Sequence, residues 1–310
     1  MKSSANWISK SRCWSRRCAA GGLCATALAL ALASTPLHAH PPPPFDQGLL
    51  WRISRTGVQD SFVFGTIHIP DPRVGIAKPV GEALARSRML ALELGNGVAN
   101  EEVFELEQFR DGRRLQPLIG DEAFKQVRVE LIAQDVPERV IERMKPWAAM
   151  IKVSRGKPRG GEASLDQQLL AAARARGMRV EPLEWVEEQI ASFDAVPLES
   201  QVALLKHALA HREALESAVD ASIDAWLRGD LARLARVSDR MGEQYADMRP
   251  HYWQLTRHII QNRTILMHHR LIVPLRGGRV FVAVGALHLY GDKGLLAMIA
   301  RDKYRVTRLF

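Results

Sequence analysis

Two histidines are the residues of this sequence that are best suited to chemistry by their type and spacing. Each follows a glycine at the same distance. They are His68, in the run SFVFGTIH, and His288, in the run VFVAVGALH, and each stands three residues after its glycine, Gly65 or Gly285. Neutral imidazole suits Zn, Mn or Co, and a metal site with open positions can polarise a carbonyl group. The repeated spacing therefore predicts one shared site that could hold a divalent metal.

Acidic residues that follow two other strand-like runs are the candidates to complete such a site. Glu93 follows the apolar run MLAL, and Glu184 follows MRVEPL. Asp166 stands at the start of a predicted helix and could be either a helix N-terminal residue or a member of the site. Glu93 could serve as a metal ligand or as the general base for water. Because a buried carboxylate without a partner is costly, a metal, an arginine or a histidine should face it.

A purely structural role stays open for each candidate. The role of each histidine could be limited to a hydrogen bond with the backbone at a strand end. Glu184 could be the acidic start of the next helix. Asn262 and Arg263 lie in a long helical stretch, where a solvent-exposed face competes with a contact to substrate or to a ligand residue. The pair His207 and His211 lacks the glutamate that the zinc-protease motif requires after the first histidine, so it is interpreted as a surface helix pair.

The strands that must position these residues predict an α/β fold with a central mixed sheet and flanking helices. Strand-like runs cover residues 49–54, 61–69, 89–94, 178–185, 280–284 and 304–310, and the first two flank a hairpin turn at residues 55–57. The run 280–284 is wholly apolar, which is typical of a strand buried on both faces. In open α/β sheets the ligand crevice lies beyond the carboxyl ends of the strands, where both histidines would lie.

Helical patterns fill the intervals between these strands. They cover residues 78–88, 101–153, 164–176, 186–190, 198–275 and 293–301. Asp121 is a plausible N-cap, Pro146 a break, and Gly177 the residue that ends the helix 164–176. The stretch at about 197–275, with breaks expected near residues 229, 242 and 250, reads as a helical insertion or lid. Two strand-Gly-x-x-His units and two strand-Leu-Glu units further suggest two pseudo-symmetric halves.

The amino terminus has the order of a secretory signal peptide. Five basic residues precede the apolar stretch 23–33, and small residues with Leu-His-Ala follow, which predicts cleavage after Ala39. The apolar part is too short to span a membrane comfortably, and the export route, Sec or twin-arginine, stays open. A proline-rich tether at residues 40–47 then leads to one domain at residues 48–310. We expect a periplasmic or secreted protein without a stable membrane span.

Removal of this leader changes the charge and the cysteine content. The formal charge falls from +9 to +4, because the leader holds five of the 43 basic residues and none of the 34 acidic ones. A nucleic-acid partner recognised through bulk basicity is therefore not expected. All three cysteines leave with the leader. A metal in the mature chain would have to be bound by histidine, carboxylate or carbonyl oxygen.

Four sequence blocks resemble the TraB/GumN family. They are LWRISRTG with FGTIH, ALEL, the middle block SLDQQLLAAARARGMRVEPLEWVEEQ, and FVAVGALHLYGDKGLL, so the resemblance spans nearly the whole mature chain. It extends to the Tiki proteins, which are membrane-anchored metal-dependent proteases that cleave Wnt ligands, and to erythromycin-esterase-like and ChaN-like proteins. The resemblance implies His68, Glu93 and His288 as site residues. Family members often carry Arg-Asn before the last core strand, whereas this chain has Gln261-Asn262-Arg263, which leaves the role of the arginine open.

Two functions of different classes follow from these observations. The first is a metal-dependent hydrolase that cleaves peptide bonds, with Mn, Co or Zn as its ion and a peptide or protein as its substrate. Ester cleavage is a variant of this function. The second is a non-catalytic protein of a peptide or polysaccharide pathway that uses the same cleft for binding or regulation. Metal ligands in the first case would come from His68, Glu93, His288 and Glu184, with Arg263 at the reacting centre and Asp166 and Asn262 near it.

Overall fold

The computed structural model describes residues 45–94, 100–154, 160–161 and 163–310. The predicted signal peptide and most of the tether at 40–47 lie outside these residues. Among the helices of the described residues, none is long and apolar enough to cross a membrane.

A mixed sheet of six strands forms the centre of the fold. In chain order the strands are β1 Leu50–Arg55, β2 Val58–Thr66, β3 Met89–Leu92, β4 Arg179–Pro182, β5 Val280–Gly285 and β6 Arg305–Arg308. Their order across the sheet is β4-β3-β5-β2-β1-β6. Strands β4, β3, β5 and β2 run parallel, and β1 pairs antiparallel with both β2 and β6. The predicted α/β fold with a central mixed sheet is confirmed.

The apolar run of β5 lies in the middle of this sheet, and all six of its residues are buried. It pairs with β2 so that Thr66 lies opposite Gly285, and with β3 so that Leu92 lies opposite Ala283. The two strand-Gly-x-x-His units thus lie on neighbouring parallel strands. Because parallel strands end at the same edge, the residues that follow β2, β3, β4 and β5 meet there.

Helices occupy the intervals between the strands. They are α1 Lys78–Ala85, α2 Asn100–Leu106, α3 Leu115–Ile119, α4 Asp121–Ile132, α5 Glu138–Arg143, α6 Pro146–Ser154, α7 Leu165–Ala175, α8 Val186–Asp194, α9 Leu198–Ala210, α10 Arg212–Leu227, α11 Leu231–Gln244, α12 Arg249–Thr256, α13 Arg263–Gly277 and α14 Leu295–Arg301. A π-helical turn, Arg257–Asn262, joins α12 to α13, and a 3₁₀ turn, Ala286–His288, follows β5.

Local signals placed several helix ends correctly and others wrongly. Ser164 caps α7 through a capping box with Gln167, and Gly177 follows this helix with φ of 63°. Asp121 is the first residue of α4 rather than its N-cap, because Gly120 occupies the cap position. The break expected near Gly242 falls after it, since α11 continues to Gln244.

Two hydrophobic cores support these elements. The larger core packs the sheet against flanking helices and includes β5, which lies at its centre. The second core lies within the helical part, where α3 to α6 pack with α8 and α9 around residues such as Leu131, Ile141 and Leu205. The stretch from about 101 to 153, which reads as one long helical pattern, is therefore divided into five short helices that share this second core.

Candidate active site

The carboxyl edge of the parallel strands brings together most of the predicted site residues. His68 lies two residues beyond β2, Glu93 directly follows β3, and Glu184 lies two residues beyond β4. His288 is the last residue of the 3₁₀ turn that follows β5, and Arg263 is the first residue of α13. Five side chains that are far apart in sequence therefore surround one point at the edge of the sheet.

Glu93 stands at the centre of this group and is 5% exposed. Its Oε1 accepts a hydrogen bond of 2.6 Å from the backbone N–H of Gly285. The same oxygen lies 3.7 Å from Nε2 of His68 and 3.7 Å from Nε2 of His288. Its Oε2 accepts a hydrogen bond of 2.7 Å from Nη2 of Arg263. One oxygen is thus committed to the arginine, and the other faces both imidazoles.

Arg263 links this carboxylate to Glu184 in the interior. Its Nε donates to both oxygens of Glu184 at 3.1 and 3.0 Å, and its Nη2 donates to Oε2 at 2.7 Å. Nη1 donates to the carbonyl of Ile259 at 3.1 Å, in the π-helical turn. The guanidinium and both carboxylates are buried. Glu184 therefore contacts Arg263 and does not extend toward the imidazoles.

Asp166 holds His68 from the side opposite Glu93. Nδ1 of the imidazole lies 2.8 Å from Oδ2 of Asp166, and the Thr66 hydroxyl donates to Oδ1 at 2.9 Å. Since a carboxylate only accepts hydrogen bonds, Nδ1 of His68 carries the proton in this pair. The side chain of His68 is 57% exposed, so this imidazole lies at the mouth of the site.

His288 lies deeper and is held by a hydroxyl instead of a carboxylate. Its Nδ1 lies 2.8 Å from Oγ1 of Thr264, and the residue is 3% exposed. The same Thr264 hydroxyl lies 2.7 Å from the carbonyl of Ile260 in the π-helical turn. The two imidazoles thus point Nε2 toward the same carboxylate oxygen but differ in their partners at Nδ1.

Opposite pKa shifts follow for the pair His68 and Glu93. Burial alone would lower the pKa of His68. The charge of Glu93 and the hydrogen bond to Asp166 raise this pKa by more, so it lies well above 6.5. Burial raises the pKa of Glu93, but His68, with His288 and Arg263, brings it well below 4.5. At neutral pH both groups are charged.

The deeper residues respond mainly to burial. Burial lowers the pKa of His288 to about 4, although the charge of Glu93 opposes this shift. Burial likewise raises the pKa of Glu184 above 4.5, and the hydrogen bonds from Arg263 act in the other direction. At neutral pH His288 is a neutral imidazole, whereas His68 is an imidazolium.

The two glycines of the repeated motif allow close packing at the site. A Cβ on Gly285 would lie 3.1 Å from Nε2 of His68 and 3.3 Å from Oε1 of Glu93. A Cβ on Gly65 would lie 2.9 Å from the Leu289 side chain. At Gly285 the absence of a side chain thus gives the two site groups their room, and at Gly65 it lets the segment after β5 pack on β2.

Asn262 and the pair His207 and His211 make contacts other than those of the Glu93 cluster. Asn262 is exposed, and its amide nitrogen lies 3.5 Å from Nδ1 of His258, away from the cluster around Glu93. The rings of His207 and His211 lie with centroids 4.3 Å apart and planes tilted by 45°, and His207 is only 7% exposed. The interpretation as a surface pair is wrong for His207, because the ring of Tyr245, the residue that follows α11, packs edge-on against it.

Thr66 and Thr264 are contacts of the site that the sequence did not suggest. Thr66 stands inside the first Gly-x-x-His motif, two residues before His68, and this position could have marked it as a contact of the site. No comparable signal marks Thr264, whose position depends on the π-helical turn before it.

His68, His288 and Glu93 present the donor atoms that a divalent ion could use. Two ligands about 2.1 Å from an ion at a tetrahedral angle lie about 3.4 Å apart, and Glu93 Oε1 lies 3.7 Å from each Nε2. Within the described residues, no three His, Cys, Asp or Glu side chains already form a group that could hold a metal ion. An ion shared by Glu93 and either histidine would therefore require its two donor atoms to approach each other by a few tenths of an ångström.

Comparison with known proteins gives one match. A family model described as the TraB/PrgY/gumN family matches residues 49–308, which include every residue of the cluster. No curated protein and no solved structure matches the chain.

Proposed function

From the premise that this chain belongs to the TraB/PrgY/gumN family, we propose that it is a metal-dependent hydrolase that cleaves peptide bonds at the Glu93 cluster. The observation that carries the proposal is the approach of two imidazole Nε2 atoms to one carboxylate oxygen, each at 3.7 Å. Two histidines and one glutamate form a donor set found in catalytic zinc sites. The choice of peptide bonds rests on the resemblance of the sequence to metal-dependent proteases.

The partners of the two imidazoles support this proposal. Histidines that bind metals usually donate their other ring N–H to a carboxylate, a carbonyl or another acceptor, which fixes the ring orientation. Asp166 holds Nδ1 of His68 and Thr264 holds Nδ1 of His288, both at 2.8 Å. Both rings are therefore oriented with Nε2 toward Glu93.

Each residue of the cluster has a distinct role under this proposal. His68 and His288 would hold Mn, Co or Zn through Nε2, and Glu93 through Oε1. Such an ion would polarise the carbonyl group of the substrate and make water a better nucleophile at neutral pH. Hydrogen bonds from Gly285 and Arg263 fix Glu93 in place. His68 lies at the exposed mouth of the cluster, where a substrate would enter.

Metal content and turnover test the proposal together. We would measure Mn, Co and Zn in the purified protein by mass spectrometry after reconstitution, and compare it with the double variant His68→Ala/His288→Ala. The matched control is His268→Ala/His269→Ala, which removes two histidines outside the cluster. We expect close to one ion per chain in the wild type and the control, and none in the test variant.

Activity distinguishes the classes of substrate. A panel of peptides and a panel of esters would be incubated with the loaded protein, with and without a chelator. Peptide cleavage that the chelator abolishes supports the proposal, and ester cleavage alone would change its substrate class. Absence of metal binding, or cleavage that is unchanged in His68→Ala/His288→Ala, would refute it.

A binding protein without turnover is the second candidate, and one observation favours it. Both oxygens of Glu93 already accept short hydrogen bonds, from Gly285 and from Arg263, so the carboxylate is stabilised without a metal. Such a site could retain a peptide or a glycan-related partner through the exposed His68. A protein that binds no divalent ion but retains a peptide or glycan ligand would support this candidate.

We further propose that residues 1–39 direct export to the periplasm or the medium. The charged, apolar and small-residue order of this segment supports the proposal. Amino-terminal sequencing of the protein recovered from the periplasm or medium should begin at His40. Recovery from the cytoplasm with an intact amino terminus would contradict it.

A further inference from the structure

Thr264 makes two short contacts through a hydroxyl group that has only one hydrogen. Its Oγ1 lies 2.7 Å from the carbonyl oxygen of Ile260 and 2.8 Å from Nδ1 of His288. A carbonyl oxygen can only accept, so the hydroxyl must donate its hydrogen to Ile260. The contact with Nδ1 can then be a hydrogen bond only if Nδ1 carries the hydrogen and donates it to the threonine.

We propose that Thr264 is a positioning residue that fixes neutral His288 as the Nδ1–H tautomer and so presents the lone pair of Nε2 to Glu93. The meaning of this tautomer for metal binding rests on the function proposed above. The tautomer itself follows from the hydroxyl and its two partners, and the backbone carbonyl of Ile260, which also hydrogen-bonds His288, favours the same form. In the opposite tautomer, Thr264 Oγ1 and Nδ1 would face each other as two acceptors with no hydrogen between them.

The π-helical turn before α13 makes this arrangement possible. Its carbonyls at Ile259 and Ile260 accept from the side chains of Arg263 and Thr264, respectively. The same turn thus anchors the guanidinium that holds Glu93 and the hydroxyl that holds His288. Single π-helical turns inside α-helices are frequent at functional sites.

Nitrogen NMR of the metal-free protein tests the tautomer directly. The ring ¹⁵N shifts of His288, measured above pH 7, distinguish the protonated nitrogen from the unprotonated one. We expect the proton on Nδ1 in the wild type. A proton found on Nε2 would overturn the proposal, and this measurement needs no variant to fold.

Substitutions test whether Thr264 is responsible. Thr264→Val keeps the shape but removes the hydroxyl, and we expect a larger share of the Nε2–H form and a metal affinity about 10- to 100-fold lower. Thr264→Ser should restore both. Ser87→Ala is the matched control, because Ser87 is also buried and bonds its i−4 carbonyl but contacts no site residue.

The outcomes separate this inference from the proposed function. A Thr264→Val variant that matches the wild type in tautomer would overturn the role of Thr264. The expected tautomer in a protein that binds no metal would support the inference and refute the proposed hydrolase.

Discussion

Replacement of Arg263 by methionine should destabilise the protein more than any replacement of a surface arginine. The guanidinium donates to both oxygens of Glu184, to Oε2 of Glu93 and to the carbonyl of Ile259. Methionine keeps an unbranched side chain out to the position of Nε and removes all of these donors. Glu93 and Glu184 would then remain in the interior without this guanidinium.

The size of the effect follows from the burial of these partners. Glu93 is 5% exposed and Glu184 is 1% exposed, so water cannot replace the lost hydrogen bonds. Removal of one partner from a buried ion pair typically costs roughly 3 to 5 kcal/mol. The free energy of unfolding of a domain is about 5 to 15 kcal/mol in total. We therefore expect Arg263→Met to lose a large part of its free energy of unfolding. At best, part of the protein would then be folded in the absence of denaturant.

Arg270 provides the matched control for this experiment. It forms a bidentate ion pair with Glu188, in which Nη1 and Nη2 each donate to one carboxylate oxygen at 2.6 Å. Both side chains are about one-third exposed, at 30% and 33%. Exposed ion pairs contribute about 0 to 1 kcal/mol, so Arg270→Met should cost no more than this. The assay is urea unfolding followed by circular dichroism, on the wild type and both variants.

The pH dependence of the loss adds a second check. Without Arg263, the pKa of Glu184 in the folded protein should rise further above its unfolded value, because burial then acts unopposed. A carboxyl whose folded pKa is raised is destabilising when it must ionise, so the loss should be larger at pH 8 than at pH 5. A cost below about 1 kcal/mol at pH 8, equal to that of Arg270→Met, would refute the account of this buried network.

Two further predictions concern Gly285 and His288. Gly285→Ala places a methyl group near Nε2 of His68 and Oε1 of Glu93, so activity should fall at least about 10-fold, as the loss of a positioned group does. Gly81→Ala serves as the control, because its Cβ would meet only a side-chain carbon at 3.8 Å. Equal activity of both variants would contradict the packing argument. The folded pKa of His288, about 4, lies below the unfolded value of 6.5, so its contribution to stability is present above pH 6.5 and is lost as the pH falls toward 4. Urea unfolding of the metal-free protein should show that the stability of wild type relative to His288→Asn falls by about 3 kcal/mol between pH 7 and pH 4; a constant difference would contradict burial of a neutral ring.

The sequence was sufficient to predict the central strand and the convergence of the two histidines. The run VFVAV is apolar at every position, and only a strand covered on both faces buries all of its residues, as β5 does. The glycine that ends the run and the histidine three residues later then lie at the carboxyl edge. The same argument holds for Gly65 and His68 on the parallel neighbour β2.

The contacts of Arg263 and Thr264 could not be predicted in the same way. Both depend on the π-helical turn Arg257–Asn262, which changes which residues of the following helix face the sheet. A period of 3.6 residues applied to the whole stretch would not include this change of phase. The burial of His207 was missed for a related reason, since tertiary packing against Tyr245 decides it and the helix period does not.

The difference between the two imidazoles accounts for the charge of the cluster. The charge of Glu93 and the hydrogen bond to Asp166 raise the pKa of His68, whereas burial lowers the pKa of His288, whose Nδ1 contacts only the neutral hydroxyl of Thr264 among side chains. Counted with all three carboxylates ionised, the ion-free cluster has two positive charges, on His68 and Arg263, and a formal charge of minus one. Under the proposed function, a divalent ion that displaces the proton of His68 would bring this charge to zero. An ion with a single charge would leave the cluster at minus one, so charge balance in a buried site favours a divalent ion.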